Sequence, residues 1–208
     1  MKLILSILSL LFLSMSAISQ SSGHLSLNAY GGYTFQERVK FDAAYTDVQD
    51  GFQWGGGLEF FPSSNKSIEI KYLRMDTKFP LYGPTGTKLN AGYDDGSIQF
   101  IMLGGNNYIS NGSNSKSTPF FGLSLGVGIV GVEDESATKF AWDAKAGIKI
   151  NTSSSVSFKL HAYIQSVISS FGSDFWVTGG GSVVAVPDYA TILQFGLGGA
   201  VCLDFKKK

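Results

Sequence analysis

The chain has 208 residues, enough for one domain, and its 16 Lys and Arg balance 16 Asp and Glu. That balance offers no basic face for nucleic acid, and at 15% charged residues, against about 25% in soluble domains, the surface is too poor in charge to be wholly water-facing. The single cysteine, Cys202, excludes an intramolecular disulfide, no Cys/His cluster has metal-ligand spacing, and no cofactor is expected.

The first segment is a secretory signal peptide, residues 1–19. Lys2 supplies the positive start, Leu3 to Leu13 is an apolar run broken by Ser6 and Ser9, and Ala17 with Ser19 gives a small-x-small cleavage pattern before Gln20. The apolar run is short for a membrane-spanning helix, and no later run approaches the roughly 20 apolar residues such a helix needs. A chain of this kind enters a membrane only as strands.

From residue 20 to 208 the signal changes to alternation, which in a strand places successive side chains on opposite faces. Eight long segments carry it. The first is His24 to Phe35, with Leu25, Leu27, Ala29, Gly31, Tyr33 and Phe35 on one face. The second, Phe52 to Phe61, has Phe52, Trp54, Gly56, Leu58 and Phe60. In the third, Ser67 to Phe79, Ile68, Ile70 and Tyr72 alternate with Glu69 and Lys71, and beyond Leu73 the phase is unclear. The fourth, Gly96 to Ile109, is the weakest, because Ile98, Phe100 and Met102 compete with Ile101 and Leu103 for the apolar face. The fifth, Pro119 to Val132, sets Phe121, Leu123, Leu125, Val127 and Ile129 against Gly122, Ser124, Gly126 and Gly128. The sixth, Thr138 to Ile150, sets Phe140, Trp142 and Ala144 against Asp143, Lys145 and Lys149. In the seventh, Val156 to Ser169, Phe158, Leu160 and Ile164 oppose Lys159, His161, Tyr163 and Gln165. The eighth, Thr191 to Phe205, is the clearest: Leu193, Phe195, Leu197, Val201, Leu203 and Phe205 face one way, Gln194, Gly196, Gly198, Cys202 and Asp204 the other.

The connections alternate in length. Pro62–Lys66, Ser110–Thr118 and Asn151–Ser155 are mostly short and rich in turn residues. Gln36–Gly51, Phe79–Asp95 and Ser170–Tyr189 are long, and only Glu133–Ala137 breaks the rule. An even strand count with short turns at one end and long loops at the other marks a transmembrane barrel. Lipid forbids open sheet edges, so the sheet must close. The expected fold is an all-β, closed, antiparallel up-and-down transmembrane barrel of eight strands. With both termini in the periplasm, Tyr33, Phe35, Phe52, Trp54, Phe140 and Trp142 gather at the upper strand ends, and Phe60, Phe121, Phe158 and Phe205 at the lower ends. Two such rings are what aromatic belts at the two membrane interfaces require.

Over His24 to Phe205 the chain resembles the small eight-stranded outer-membrane barrels of OmpA or OmpX type from Gram-negative bacteria. The resemblance rests on pattern and architecture. It implies an outer-membrane location, lipid as the surrounding partner, and a terminal aromatic signal read by the barrel-assembly machinery, here Phe205 with Leu203 and Val201 behind it. Lys206, Lys207 and Lys208 follow that aromatic, and Ala200 stands where a glycine is common. No peptidoglycan-binding domain is expected after the barrel.

An eight-stranded barrel is filled by its own side chains. The inward polar set is Glu59, Glu69, Lys71, Asp143, Lys145, Lys149, Lys159, His161 and Tyr163, and buried charges must pair. A turn centred near Ser64 sets Glu59 across from Glu69, with Lys71 the nearest cation in sequence. A turn centred near Ser153 sets Lys145 across from His161 and Asp143 across from Tyr163. The catalytic alternative joins His161, Asp143 and Ser124, after the outer-membrane barrels that modify lipid A; the structural one makes the same residues a network holding the barrel shut. Gly126 to Gly131 matches G-x-G-x-x-G but lies within a strand, where no helix start follows to receive a phosphate. The loop 170–189, with Phe171, Phe175, Trp176 and Val183 to Val186, is a candidate for edge pairing with a protein partner, or is simply the continued hairpin of its two strands.

The function expected is that of a non-enzymatic outer-membrane barrel with a filled lumen and surface loops for contact, adhesion or envelope assembly. The alternative is a soluble, lipocalin-like periplasmic barrel with the greasy face turned inward around an apolar ligand. A narrow channel is a third reading, opposed by the crowded lumen charges.

Overall fold

Alternating side chains become two-faced strands, and thirteen strands form among the described residues. The computed structural model describes residues 23–40, 44–89, 94–109, 116–133, 135–152, 155–170, 176–177, 183–184 and 189–205. The expected signal peptide, Lys206 to Lys208, and most of the 170–189 loop, including Phe171, Phe175 and Val186, lie outside the described residues.

Eight long strands make the barrel: β1 (His24–Thr34), β4 (Gly51–Ser63), β5 (Lys66–Lys78), β7 (Asp95–Tyr108), β8 (Ser117–Val132), β9 (Glu135–Asn151), β10 (Val156–Ser170) and β13 (Tyr189–Phe205). Each pairs antiparallel with its neighbour in sequence among these eight, and β1 closes on β13 from Leu25–Phe205 to Thr34–Gly196. No helix occurs among the described residues.

The closure fixes the shape. A row of paired residues starts at Leu25 and runs through Phe60, Ile68, Gly105, Leu123, Ala144, Ile164 and Phe195. The Phe195 carbonyl then accepts the Phe35 amide at 2.8 Å. The row therefore returns ten residues above its start, 35 minus 25. That stagger over eight strands tilts them by about 40° from the axis.

The turns follow from local chemistry. Ser63 pairs with Lys66 across Ser64 and Asn65, and the register slips between Phe60 and Ser63, where Pro62 has no amide to give the ladder. The connection that breaks the length rule is a tight hairpin: Val132 pairs with Glu135, and Glu133 has φ 52°, in the left-handed region.

The greasy faces point outward. Leu27, Leu58, Leu123, Leu125, Phe195 and Leu197 are exposed, Leu123 by 63%. An inward greasy face, as a lipocalin-like barrel requires, is not what this chain forms. The segment with the weakest alternation is apolar on both faces. In β7, Ile101 and Leu103 face out, while Ile98, Phe100 and Met102 are fully buried inside.

Those three belong to a core within the lumen. Leu73, Met75, Phe100, Met102, Val130, Ala141, Val167 and Ile192 fill the half towards the long connections, the loop end. The long connections are not plain loops there. β2 (Glu37–Lys40), β3 (Tyr45–Val48) and β6 (Leu81–Tyr82) form a small sheet, and its Val39, Val48 and Leu81, with Phe79, join the same core. The sheet thus caps the barrel. Arg38 holds Asp47 at 2.6 and 3.0 Å on it. In the 170–189 connection, β11 (Trp176–Val177) pairs with β12 (Val183–Val184), a short hairpin separate from the barrel strands.

Candidate functional site: a layered lumen and an apolar exterior

The lumen is stacked in layers. At the terminus end, Phe61, Tyr108 and Phe120 pack together, and the Lys149 ammonium lies 5.0 Å from the Phe61 ring centre. Lys149 also reaches both carboxylate oxygens of Asp204 at 3.3 Å, and Ser157 donates to the same group at 2.9 Å.

Above this cluster sit Glu59 and Glu69, a directly paired couple on β4 and β5, the pairing expected from a turn near Ser64. Two carboxylates side by side need cations, and these come from the opposite wall. Lys159 donates to Glu59 at 2.5 Å and stands 4.0 Å from Glu69, while Lys145 donates to Glu69 at 2.5 Å. The expectation that Lys71 serves this pair is corrected: Lys71 pairs with Asp143. Residues two apart on one strand are about 7 Å apart and project in parallel, whereas lysines across a narrow barrel reach over its axis.

The remaining acceptor sites of the pair are filled by neutral donors. Ser67, Asn106 and Tyr108 donate to Glu59 at 2.5, 2.7 and 2.6 Å. Asn28 donates to both carboxylates at 3.0 Å, and Tyr30 to Glu69. Four lysines (71, 145, 149, 159) thus meet four carboxylates (59, 69, 143, 204) with no net charge. Such balance, with neutral donors also bonded to the Glu59 and Glu69 carboxylates, is the condition under which buried charges are tolerated. Asn28, Tyr30, Ser67, Asn106, Tyr108 and Asp204 extend the network beyond the set expected from sequence, and strand alternation, which puts each on the inward face, is the signal that marks them.

One register differs from expectation. Lys145 lies across from Tyr163, and Asp143 from Gln165, while His161 faces Gly147. The β9–β10 turn centres one residue later than Ser153, and a one-residue move of the centre shifts every partner by two. Tyr163, though directly across from Lys145, bonds elsewhere, sharing a hydrogen bond with Thr34 at 2.7 Å. Its ring and hydroxyl occupy the space that a Cβ on Gly196 would need.

A neutral layer follows: Gln53 donates to Gln165, and Gln165 to Gln194, each at 3.1 Å. Beyond these amides the apolar core begins.

Ser124 and Asp143 of the catalytic alternative lie directly across from each other, but neither is hydrogen-bonded to His161 through its Nδ1. Asp143 is committed to Lys71, His161 Nδ1 is buried without a hydrogen-bond partner, and His161 is ringed by Tyr30, Phe120 and Tyr163 at 6.2, 6.3 and 5.9 Å. The first two glycines of G-x-G-x-x-G, Gly126 and Gly128, are packing positions within β8. A Cβ on Gly126 would collide with the Ile101 carbonyl, and one on Gly128 would lie 2.7 Å from Val167.

On the exterior, Tyr33, Phe35, Phe52, Trp54 and Phe140 are exposed near the loop end, with Trp142 half-buried beside them, and Phe121, Phe158 and Phe205 near the terminus end, with Phe60 half-buried. Along β4, Phe52 and Phe60 are eight residues apart, roughly 20 Å when projected on the barrel axis at this tilt. Leucine, isoleucine and small residues lie between the two rings. Phe195 joins the upper ring, a position alternation also marks. Val201, Leu203 and Phe205 are exposed on the outward face of β13.

No protein-family model matches the chain, and no curated protein matches it. Solved structures do. OprG, an outer membrane protein from Pseudomonas aeruginosa, is 14% identical, with a TM-score of 0.57, over 90% of this chain and 98% of that one. Neisserial surface protein A is 12% identical, with a TM-score of 0.52, over 87% and 97%. The chain has the fold of the small outer-membrane β-barrels, with eight strands closed into one ring.

Proposed function

We propose that this chain is an integral outer-membrane protein without enzymatic activity, a rigid closed scaffold that holds its loop end at the cell surface for contact, adhesion or envelope assembly. The observation that carries this reading is the inversion of polarity: the lysines and carboxylates of the lumen are buried, while a continuous apolar band between two aromatic rings faces outward. In water that band would be an association liability; in a bilayer its height of roughly 20 Å between ring centres is near the apolar zone of about 25 Å in an outer-membrane barrel. Both termini then lie in the periplasm, reached through the signal peptide, and Val201, Leu203 and Phe205 offer the assembly machinery an outward apolar edge before β13 meets β1. The capped, charge-paired lumen favours a scaffold over a conduit. The small sheet over the barrel mouth and the 170–189 connection are the parts available to a protein partner.

The test is gel mobility of the protein from a purified outer-membrane fraction, with and without boiling. The expected result is recovery in that fraction and a mobility change only after heating. Recovery in the soluble periplasmic fraction, with no change on boiling, overturns the reading.

A further inference from the structure

Between the Glu69 layer and the glutamine layer lies a small internal cavity of about 20 Å³. Its walls include Lys71, Asp143, Lys145, His161, Tyr163 and Gln165. One water requires roughly 10–15 Å³ on this measure and two to four polar partners, so the space suits one water and is too small for an organic ligand.

The partners are present. Asp143 is 3% exposed, and while one of its oxygens pairs with Lys71, the other, Oδ1, is buried with no hydrogen-bond partner. His161 Nδ1 is in the same condition. Two buried polar atoms without partners, on two residues lining one cavity, would each carry the desolvation cost of an unmade hydrogen bond. Dry cavities of proteins are lined by apolar groups alone; this one has apolar walls that also carry the charged and polar side chains of Lys71, Asp143, Lys145 and His161.

We propose that the cavity is a binding site for a single ordered water that donates to Asp143 Oδ1 and bridges to His161 Nδ1. The water completes the hydrogen bonding of the Lys71–Asp143 pair and ties β10 to β9 at the level where the ionic layers give way to amides. His161 is then a positioning residue for this water. Water fits better than an anion, because Asp143 Oδ1 would repel one. It fits better than a metal ion, because the ammonium groups of Lys71 and Lys145 line the same walls.

A crystal structure of the intact barrel at a resolution that shows waters, with a second crystal soaked in bromide, tests this. The expected result is one peak within hydrogen-bonding distance of Asp143 Oδ1 and His161 Nδ1, with no anomalous signal at that position after the soak. A cavity without a peak, or an anomalous peak marking an anion, overturns the proposal. The variant His161→Phe gives an independent reading. Loss of a bridged water lowers the unfolding midpoint by a few degrees. In a dry cavity the same change removes an unsatisfied nitrogen and raises the midpoint, which would also overturn the proposal.

Discussion

The two halves of the lumen fill the same narrow space by opposite means. Towards the terminus end, Glu59, Glu69, Lys145 and Lys159 meet across the axis in a network with several neutral donors. Towards the loop end, Met75, Phe100, Val167 and Ile192 pack as an ordinary apolar core, continued into the capping sheet by Val39, Val48 and Leu81. The difference lies in how each half fails. A network member removed leaves its partners charged and stranded; a core side chain removed leaves only a hole.

The largest expected effect follows from that asymmetry. Lys159→Met removes the cation shared by Glu59 and Glu69 and is expected to cost about 3–5 kcal/mol, the range for breaking a buried ion pair. Adding Glu59→Gln should restore much of it, because the stranded charge goes too. Heat or urea midpoints of the detergent-solubilised barrel, read by the mobility change, check both; a double variant no more stable than Lys159→Met would contradict the network account.

Met75→Ala should cost about 2–5 kcal/mol through a cavity. Its effect should add to that of Lys159→Met, since the two side chains share no partner. Strong coupling between them in a double-mutant cycle would mean that the halves are not separate.

The smallest effect belongs to neither half. Glu133 sits at the tight β8–β9 hairpin with φ 52°, a conformation that costs an L-residue about 1–2 kcal/mol and glycine nothing comparable. Glu133→Gly should therefore stabilise by about 1 kcal/mol, seen as a higher unfolding midpoint in either background. A fall in the midpoint would show that the side chain offsets the strain.

What is legible in the sequence tracks this division. Where polar and apolar residues alternate, as along Glu69, Ile70 and Lys71 or along Lys159, Leu160 and His161, the faces, strands and inward charges can be read directly. In β7, Ile98 to Leu103 is apolar at nearly every position because one face meets the core and the other the exterior, and period-two information vanishes. Beyond Leu73 the phase of β5 is lost for a different reason, an inversion: Leu73 and Met75 turn inward to the core while Arg74 and Asp76 face outward. Ion partners are misread where chain proximity stands in for space, as with Lys71. The shift of the β9–β10 partners comes from a turn centre misplaced by one residue among several serines. The capping sheet is hidden because Glu37 to Lys40 and Leu81 to Tyr82 are too short to carry a period.

The seam between β1 and β13 has a consequence for the order of folding. Leu25 and Phe205 are paired although 180 positions separate them in the chain, whereas every other barrel pairing joins strands that follow one another around the ring in chain order. Hairpins can form as soon as their two arms exist, but the ring cannot shut until the last strand arrives, and the search for so distant a contact is slow. Until then both β1 and its growing counterpart present raw edges, ready templates for mispairing with another chain. The barrel's lack of edges is thus acquired in a single late event, and the unclosed chain is its most aggregation-prone form.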